Sequence, residues 1–265
     1  MDNLQRIALL IDADNTQVHK IEAVIREIST RGRIVVKRAY GNWKKDILKN
    51  WEGEIKRLAI NASQQFDYVA GKNATDMALV IDAMDMLYRD LYDAFVIVAS
   101  DSDYTPLAIR IHESGVYVIG VGEKKTPAPF VNACDEFILL ENLEDDTASR
   151  KKKTKKTKKT STKKGSNKAS VKEVINDEPE EIEEDDEMED IHQLLKIAYE
   201  KYADDDGYVN VASAGQYIKR VMPEFDIRSY HHVKLPELLA DFPERYEIKK
   251  YPGKGTVTII AYRCL

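Results

Sequence analysis

Short apolar runs alternate with segments of helical periodicity over about the first 142 residues, and this alternation restricts the possible folds more than any other feature. The apolar runs predict strands over residues 6–12, 34–40, 66–70, 94–100, 117–121 and 136–140. The helical stripes between them predict helices over residues 18–31, 46–60, 75–90 and 105–114. Repeated βα units of this kind predict an α/β domain with a mostly parallel sheet and helices on both faces.

A different pattern begins near residue 190. Helical stripes over residues 191–202, 212–222 and 228–239 are followed by two alternating runs that meet at a Pro-Gly-Lys-Gly turn. Three helices and a β-hairpin predict a small winged helix, and we place this domain at residues 190–265. Its predicted core includes the side chains of Val233, Leu235, Leu238 and Leu239.

The segment between the two domains, residues 146–189, lacks apolar periodicity and is interpreted as a disordered linker. Residues 150–168 are basic without a single acidic residue, whereas residues 173–190 are almost wholly acidic. The net charge of −6 averages over these blocks, so it does not identify the partner. The lysine run could bind RNA phosphates without sequence preference; a solvated linker whose two blocks attract each other is the alternative that we prefer.

The sequence lacks the features expected of membrane proteins, secreted proteins and proteins held together by disulfides or zinc. No apolar run approaches the roughly 18 residues needed to span a bilayer, so neither a signal peptide nor a membrane anchor is indicated. Cys134 and Cys264 are too few and too far apart for a disulfide framework or a zinc site. A reducing cytoplasm is therefore the expected location.

Acidic residues occur where three of the predicted strands end. Asp12 and Asp14 end the first strand, Asp101 and Asp103 follow the fourth strand, and Asp76 lies in the first turn of the helix after the third strand. The carboxyl ends of parallel strands share one edge of the sheet, where α/β proteins place functional side chains. If the backbone after the fourth strand stays extended, its two acids point the same way. We therefore expect these carboxylates to converge.

Converging carboxylates repel each other unless a cation accompanies them or their pKa values rise. Oxygen ligands without a Cys/His set favour Mg²⁺ or Mn²⁺, and such ions can activate water and neutralise charge on a phosphodiester. For each acid taken singly, ordinary capping and turn chemistry is the alternative. Asp82 and Asp85, farther along the same helix as Asp76, are interpreted as a solvated face.

Three separated stretches carry a family resemblance. They read IDADN at residues 11–15, KNATDMALVIDAM from Lys72, and SDSDYTPL at residues 100–107. In this order they resemble the signatures of the NYN domain, a LabA-like member of the PIN-like nucleases, over about residues 4–140. The resemblance implies a PIN-like three-layer sandwich, here placed at residues 1–145, that cleaves RNA with Mg²⁺ or Mn²⁺. The catalytic and metal-binding acids it implies are Asp12, Asp76, Asp101 and Asp103.

Polar residues beside these acids are predicted to contact the substrate. They are Asn15, Lys72, Asn73, Thr75, Ser100 and Ser102. For Lys72, a solvated loop lysine is the alternative. Asp14 follows Ala13 where many family members carry a Gly-Glu-like pair, so it is either a ligand or a helix-capping carboxylate. The stretch KRAYGNWKK, residues 37–45, mixes basic and aromatic residues and suits a track for single-stranded RNA; alternatively, Trp43 is a partly buried anchor.

The C-terminal segment resembles the OST-HTH, or LOTUS, domain. The matching features are the small-residue turn into AGQYIKR, the segment MPEFDIRSYHHVKLPELL and the closing hairpin, over about residues 191–263. The resemblance implies a winged-helix module that binds RNA or a protein partner. The RNA-binding side chains it implies, on the exposed side of the third helix, are Arg228, Tyr230, His231, His232 and Lys234. The lysines on or near the wing are Lys249, Lys250 and Lys254.

The leading hypothesis is a cytoplasmic, metal-dependent ribonuclease that cuts single-stranded or structured RNA held by the C-terminal module. The rival is a non-catalytic RNA-binding or regulatory protein that keeps the PIN-like fold as a scaffold, although a scaffold has little use for converging carboxylates. A phosphatase with Asp12 as the nucleophile of a D-x-D motif is a third possibility. That motif lacks the lysine and the later acid pair in the right order. The sequence leaves the oligomeric state open.

Overall fold

The computed structural model describes residues 4–68, 73–143, 181–252 and 258–265, with the backbone alone for residues 181–187. Six strands form the sheet of the first domain, with all neighbours parallel and in the order β3-β2-β1-β4-β5-β6. They are β1 (Leu4–Asp12), β2 (Gly32–Gly41), β3 (Asn61–Gln64), β4 (Ala94–Val98), β5 (Tyr117–Gly122) and β6 (Glu136–Leu139). The parallel sheet is confirmed.

Helices cover both faces of this sheet, since successive strand residues point to opposite sides. The helices are α1 (Ile21–Ser29), α2 (Trp51–Leu58), α3 (Ala74–Tyr88), α4 (Thr105–Glu113) and α5 (Ala128–Asn132). Leu9 and Ile11 of β1 pack in one core with α1 and α2, whereas Ala8 and Leu10 pack in the other with α3, α4 and α5. The result is the predicted three-layer sandwich.

The third strand is not where the sequence predicts it. β3 is a polar edge strand whose backbone pairs with β2, whereas the predicted strand at residues 66–70 is irregular as far as Tyr68, where the description stops. An edge strand that faces solvent needs no apolar alternation, so β3 carries no periodic signal. The aromatic run that resembled a strand is instead exposed, with Phe66 at 51% and Tyr68 at 87%.

Two helix predictions also change. Residues 46–60 divide into a 3-10 turn at Asp46–Leu48 and the separate helix α2. The helix predicted to be capped by Thr75 begins at Ala74, with Asn73 at the N-cap position. The five-residue helix α5 was not predicted, because a helix that short has no periodic stripe to detect.

The second domain is the predicted winged helix. Its helices are α6 (Glu181–Tyr202), α7 (Val211–Val221) and α8 (Leu235–Asp241). An antiparallel sheet in the order β7-β9-β8 accompanies them, formed by β7 (Val209–Asn210), β8 (Tyr246–Pro252) and β9 (Thr258–Cys264). Leu195, Ile218 and Leu239 pack in its core. The helix α6 begins at Glu181, within the segment assigned to the linker; linker residues 146–180 lie outside the described residues.

The third helix of this domain is shorter than predicted. Residues 228–239 divide into a 3-10 turn at Ile227–Tyr230 and the helix α8. His231 has a φ of 60°, a left-handed conformation that no α-helix continues through. The core assignment of Val233 is wrong, because it lies in the connection and is 74% exposed.

The two domains contact each other along β6. The amide of Phe137 donates to the carbonyl of Pro223 at 2.8 Å. Glu136 accepts a hydrogen bond from Lys219 at 2.7 Å. The C-terminal domain therefore covers a sheet edge that would otherwise present unpaired backbone groups.

None of the helices in the described residues is long and apolar enough to cross a membrane.

Candidate active site

The first predicted acid lies at the crossover of the sheet. β1 pairs with β2 on one side and with β4 on the other, and the chain reverses its direction of strand addition between β1 and β4. Ligands of open α/β sheets bind in the crevice at this switch point. Asp12 is the last residue of β1, one position beyond the Ile11–Val98 pair, and it is fully buried.

Asp12 is buried among groups that include other carboxylates. Asn15 Nδ2 donates to Asp12 Oδ2 at 2.9 Å, and the amide of Asp14 donates to Asp12 Oδ1 at 3.1 Å. The pKa of Asp12 is raised from 3.8 to about 6: burial makes the largest contribution, the charges of Asp76 and Asp14 add to it, and hydrogen bonds from Asn15 and Tyr104 oppose it. This carboxylate is costly to keep ionised at neutral pH without a cation.

Tyr104 connects Asp12 to the next acid. Its buried hydroxyl donates to Asp76 Oδ1 at 2.9 Å and is also in hydrogen-bond contact with Asp12. Burial, followed by the charges of these two carboxylates, raises the pKa of Tyr104 well above its usual value, so it remains a proton donor. Asp76 is half-buried in the first turn of α3. Burial raises its pKa, as do the charges of Asp101, Asp103 and Asp14.

Asp101 and Asp103 lie at the same edge but do not point the same way along an extended backbone. Asp101 is extended and caps a 3-10 turn, accepting the amide of Asp103 at 3.1 Å. Asp103 lies within that turn and accepts a hydrogen bond from Asn73 Nδ2. Ser102 Oγ donates to Asp101 Oδ1 at 3.5 Å. The turn therefore replaces the extended conformation that the two-residue spacing suggested.

Asp14 is not a helix cap. Thr75 Oγ1 donates to Asp14 Oδ2 at 2.8 Å, so the predicted substrate contact of Thr75 is occupied in this structure. Lys45 Nζ lies 3.2 Å from Asp14 Oδ1 and 3.3 Å from Asp67 Oδ2. Asp14 is therefore the acid of the cluster that has a lysine partner, at the border between the acids and the end of β2.

The remaining predicted positions lie around this cluster. Ser100 Oγ accepts the amide of Glu123 at 3.0 Å and so joins the ends of β4 and β5. Asn73 is exposed at the start of α3. Lys72 lies outside the described residues. Asp82 is not a solvated residue as expected, because Arg38 and the hydroxyl of Tyr40 both contact its carboxylate; Asp85 is exposed.

The chemistry of the cluster fits a divalent cation in part. Its donors are oxygens, the ligands that Mg²⁺ and Mn²⁺ prefer. Mutual repulsion and burial raise the pKa of Asp12 and Asp76, as expected of acids that lack a counter-charge. Within the described residues, however, no three acidic, histidine or cysteine side chains are already close enough to hold an ion. Binding would therefore require side chains of the cluster to rearrange, since Asp101 and Asp103 are engaged by neighbouring groups.

Two residues of this site were missed by the sequence analysis. Tyr104 directly follows the Asp101–Asp103 pair, in the quoted SDSDYTPL stretch, but apolar periodicity does not distinguish a buried tyrosine that packs from one that donates to acids. Lys45 belongs to the KRAYGNWKK stretch, which was interpreted as an RNA track rather than as a partner of Asp14. Both contacts join residues that are distant in the chain, and only tertiary structure reveals them.

The side chains predicted to bind RNA in the C-terminal domain do not share one helix face. Arg228 pairs with Asp226 at 2.6 Å and reaches Glu27 of the first domain at 3.4 Å. Tyr230 stacks on Phe225, with ring centroids 6.1 Å apart.

The other three predicted residues lie between the 3-10 turn and α8. His232 Nε2 donates to Asp241 Oδ2 at 2.7 Å, and this hydrogen bond, with the charge of Asp241, raises the pKa of its imidazole. His231 and Lys234 are exposed. Their role in RNA binding stays a prediction, and Lys254 lies outside the described residues.

A cavity of about 740 Å³ lies between the domains rather than at the acids. Glu136, Arg31 and Lys219 contribute to its lining, and both cations pair with Glu136. The acidic edge, by contrast, contains charges that are not compensated. We place the candidate site at the acidic edge for that reason.

Comparisons with known proteins identify both domains. A sequence model of the NYN domain matches residues 6–141, just over half of the chain, and one of the OST-HTH/LOTUS domain matches residues 185–258. Among solved structures, a protein of unknown function from Vibrio parahaemolyticus RIMD 2210633 is 18% identical with a TM-score of 0.42, over 52% of this chain and 93% of its own. An uncharacterised protein from Nitrosomonas europaea is 19% identical with a TM-score of 0.26, over 40% of this chain and 92% of its own.

The comparison with curated proteins gave no match. The two structural similarities are too weak to support an argument. The domain matches follow the order that the sequence predicts, and together they support a nuclease or RNA-binding role. The chain belongs to the NYN family of PIN-like nuclease domains and carries an OST-HTH/LOTUS domain on its C-terminal side.

Proposed function

We propose that the chain is a metal-dependent ribonuclease that hydrolyses phosphodiester bonds at the Asp12 edge of the sheet. One observation carries the proposal: Asp12 is fully buried at the switch point, and its strongest electrostatic neighbours are carboxylates, Asn15 and Tyr104 rather than cations. A protein that used this fold as a scaffold alone would gain stability by replacing such a group. Buried charges without a counter-ion are typical of functional sites.

Each residue of the site has a proposed task. Asp12, Asp76 and Asp101 hold Mg²⁺ or Mn²⁺, and Asp103 completes the set or positions water. When bound, the ion supplies the positive charge that acidifies water and stabilises the charge on the phosphodiester. Asn15 orients the Asp12 carboxylate through its 2.9 Å hydrogen bond. The exposed polar groups around the acids, Asn73 and Ser102 among them, contact the RNA backbone.

Cleavage of end-labelled RNA tests this function. Wild-type protein is compared with Asp101→Asn in Mg²⁺, Mn²⁺ or EDTA, on single-stranded and structured RNA. Asp85→Asn is the matched control, since Asp85 is an exposed carboxylate on α3 away from the cluster. We expect metal-dependent cutting by the wild type and the control and loss of cutting by Asp101→Asn. No cutting by the wild type, or equal cutting by Asp101→Asn, would contradict the proposal.

A non-catalytic RNA-binding protein is the second candidate. The observation that favours it is the dispersed set of acids, since Asp14 is held by Lys45 and Thr75 and Asp103 by Asn73. This candidate predicts RNA binding that does not depend on Asp101 and no cleavage in any metal. The same assay, with binding measured in parallel, separates the two functions.

We further propose that the C-terminal domain holds RNA in the cytoplasm, through residues around α8. Lys234 is exposed at the start of that helix. Lys234→Glu should weaken RNA binding by the full chain, and Lys196→Glu, an exposed lysine on α6, should not. If both variants bind RNA as the wild type does, a protein partner becomes the better assignment for this surface.

A further inference from the structure

Two exposed aromatic rings lie next to the acidic edge. Phe66 and Tyr68 follow β3, and the ends of β2 and β3 are joined by the Gln65 amide, which donates to the Gly41 carbonyl at 3.0 Å. Lys44 Nζ lies 5.0 Å from the centroid of the Phe66 ring. Contact of large apolar rings with water is unfavourable, and exposed rings beside lysines are typical of a binding surface.

Trp43 is the aromatic residue that the sequence suggested for RNA stacking, but its indole is already engaged within the protein. Its Nε1 donates to the carbonyl of Ser63 at 3.0 Å, and its ring packs on Trp51 with centroids 6.1 Å apart. Trp43 is therefore the anchor that holds β2 and β3 in place. The rings that are available for stacking are those of Phe66 and Tyr68, which the sequence analysis assigned to a strand.

A short series of contacts connects these rings to the buried acid. Asp67, between the two rings, lies 3.3 Å from Lys45, which lies 3.2 Å from Asp14. The amide of Asp14 donates to Asp12 at 3.1 Å. Asn42 Nδ2 also donates to Asp67 at 3.2 Å, which fixes the loop against the end of β2. A nucleotide stacked on either ring would therefore lie beside the residues Asp67, Lys45 and Asp14, whose contacts lead to Asp12.

We propose that Phe66, Tyr68 and Lys44 form a platform for single-stranded RNA. Bases stack on the two rings, and Lys44 contacts a backbone phosphate, while Lys45 keeps the platform joined to Asp14. Such stacking accepts any base but requires bases that are not paired, because the faces of paired bases are covered within a duplex. The platform therefore selects single strands over double helices. That the platform guides substrate to the Asp12 site rests on the proposed ribonuclease function. That the platform binds RNA does not depend on that function.

The first test measures the affinity of the full chain for a fluorescent oligouridylate of about 10 nucleotides in EDTA, a length within the range that such surfaces bind. Phe66→Ala and Tyr68→Ala are each expected to weaken binding roughly fivefold or more, the effect of losing one stacked base. Tyr68→Phe should bind as the wild type. Tyr88→Ala is the matched control, because Tyr88 is 93% exposed at the opposite end of α3. A duplex of the same length should bind equally to all variants.

A second measurement, also in EDTA, locates the RNA contact on the chain and so distinguishes the platform from the C-terminal domain. The same oligonucleotide with 5-iodouridine is irradiated with the full chain, and the labelled peptides are identified by mass spectrometry. Adducts at Phe66 or Tyr68, and none at Tyr88, support the platform. If the double variant Phe66→Ala/Tyr68→Ala binds within twofold of the wild type and no adduct forms at either residue, the proposal is wrong. Because both measurements are made in EDTA, they succeed or fail independently of cleavage.

Discussion

Asp12 and Glu136 are nearly fully buried carboxylates of the same sheet, and their surroundings shift their pKa values in opposite directions. Glu136, at the start of β6, is 3% exposed and accepts hydrogen bonds from Arg31 at 2.7 and 3.0 Å and from Lys219 at 2.7 Å. Burial alone would raise its pKa, but these two cations lower it to about 2. Asp12, without such partners, has a pKa of about 6.

The difference separates a carboxylate that the protein compensates from one that it does not. Glu136 joins α1, β6 and the C-terminal domain through compensated contacts, so its charge is satisfied by the protein itself. On the proposed function, Asp12 is left for a cation that the chain does not supply. Such uncompensated carboxylates cost stability, and proteins retain them where a ligand repays the cost. Five predictions test this contrast.

Removing Arg31 should give the largest effect. Arg31→Met leaves the buried Glu136 carboxylate with Lys219 alone, and breaking a buried ion pair costs about 3 kcal/mol of unfolding free energy. Denaturant-induced unfolding measures the loss. Arg57→Met is the control, since the ion pairs of Arg57 with Glu22 and Glu54 are at the surface and contribute little. Equal losses for the two variants would mean that Glu136 is not the charge that Arg31 stabilises.

Neutralising the two carboxylates should have opposite effects. Asp12→Asn is expected to stabilise the protein in EDTA at neutral pH by at most about 3 kcal/mol, the free energy that corresponds to raising the pKa from 3.8 to about 6. Glu136→Gln should destabilise it, because Arg31 and Lys219 lose their shared anion. Thermal unfolding in EDTA measures both. A destabilised Asp12→Asn protein would indicate that a partner already compensates Asp12.

The pH dependence of stability tests whether the pKa of Asp12 is raised and that of Glu136 lowered. Between pH 3.8 and about 6 the folded chain keeps the Asp12 proton that the unfolded chain has released, so stability falls as pH rises through this range. The advantage of Asp12→Asn over the wild type should therefore be absent below pH 3.8 and complete above about pH 6. For Glu136 the stabilisation is present above pH 4.5 and is lost as pH falls towards 2. An Asp12→Asn advantage that is constant with pH would contradict the raised pKa.

Lys219→Met should have a smaller effect than Arg31→Met. Lys219 is about one-third exposed and makes one contact with Glu136, so its loss should cost about 1 kcal/mol. Because this contact joins the domains, exchange of the Phe137 amide hydrogen, which bonds to Pro223, should become faster. Lys201→Met, a lysine on α6 that contacts Tyr217, is the control. Unchanged exchange at Phe137 would show that other contacts hold the domains together.

Tyr104→Phe should have a similarly small effect on stability, about 1 kcal/mol, because it removes one buried hydroxyl donor. Its effect on Mn²⁺ binding should be clearer, since Asp76 loses the hydrogen bond that orients it towards Asp12. Titration calorimetry measures the affinity, with Tyr117→Phe, a tyrosine of β5 on the opposite face of the sheet, as the control. If both variants bind Mn²⁺ as the wild type does, Tyr104 does not position the acids.

The parts of the fold that could be predicted are those with a local pattern. β4 and the helix α4 follow directly from an apolar run and a periodic segment, and the placement of Asp12 and Asp101 at one edge follows from parallel strands. β3 could not be predicted, because an exposed edge strand carries no apolar alternation. The break at His231 was also missed, since a left-handed residue between two apolar stretches resembles a continuous helical stripe.

The sequence by itself determined the two domains, the parallel sheet and the edge at which the acids lie, because apolar periodicity and strand direction are properties of short segments. Only the tertiary structure decided which buried carboxylate has cations beside it. Arg31 and Lys219 are 105 and 83 positions from Glu136 in the chain, and Tyr104 is 28 positions from Asp76. A carboxylate's pKa depends on burial and on charges within a few ångströms, and these are set by the fold rather than by neighbouring residues.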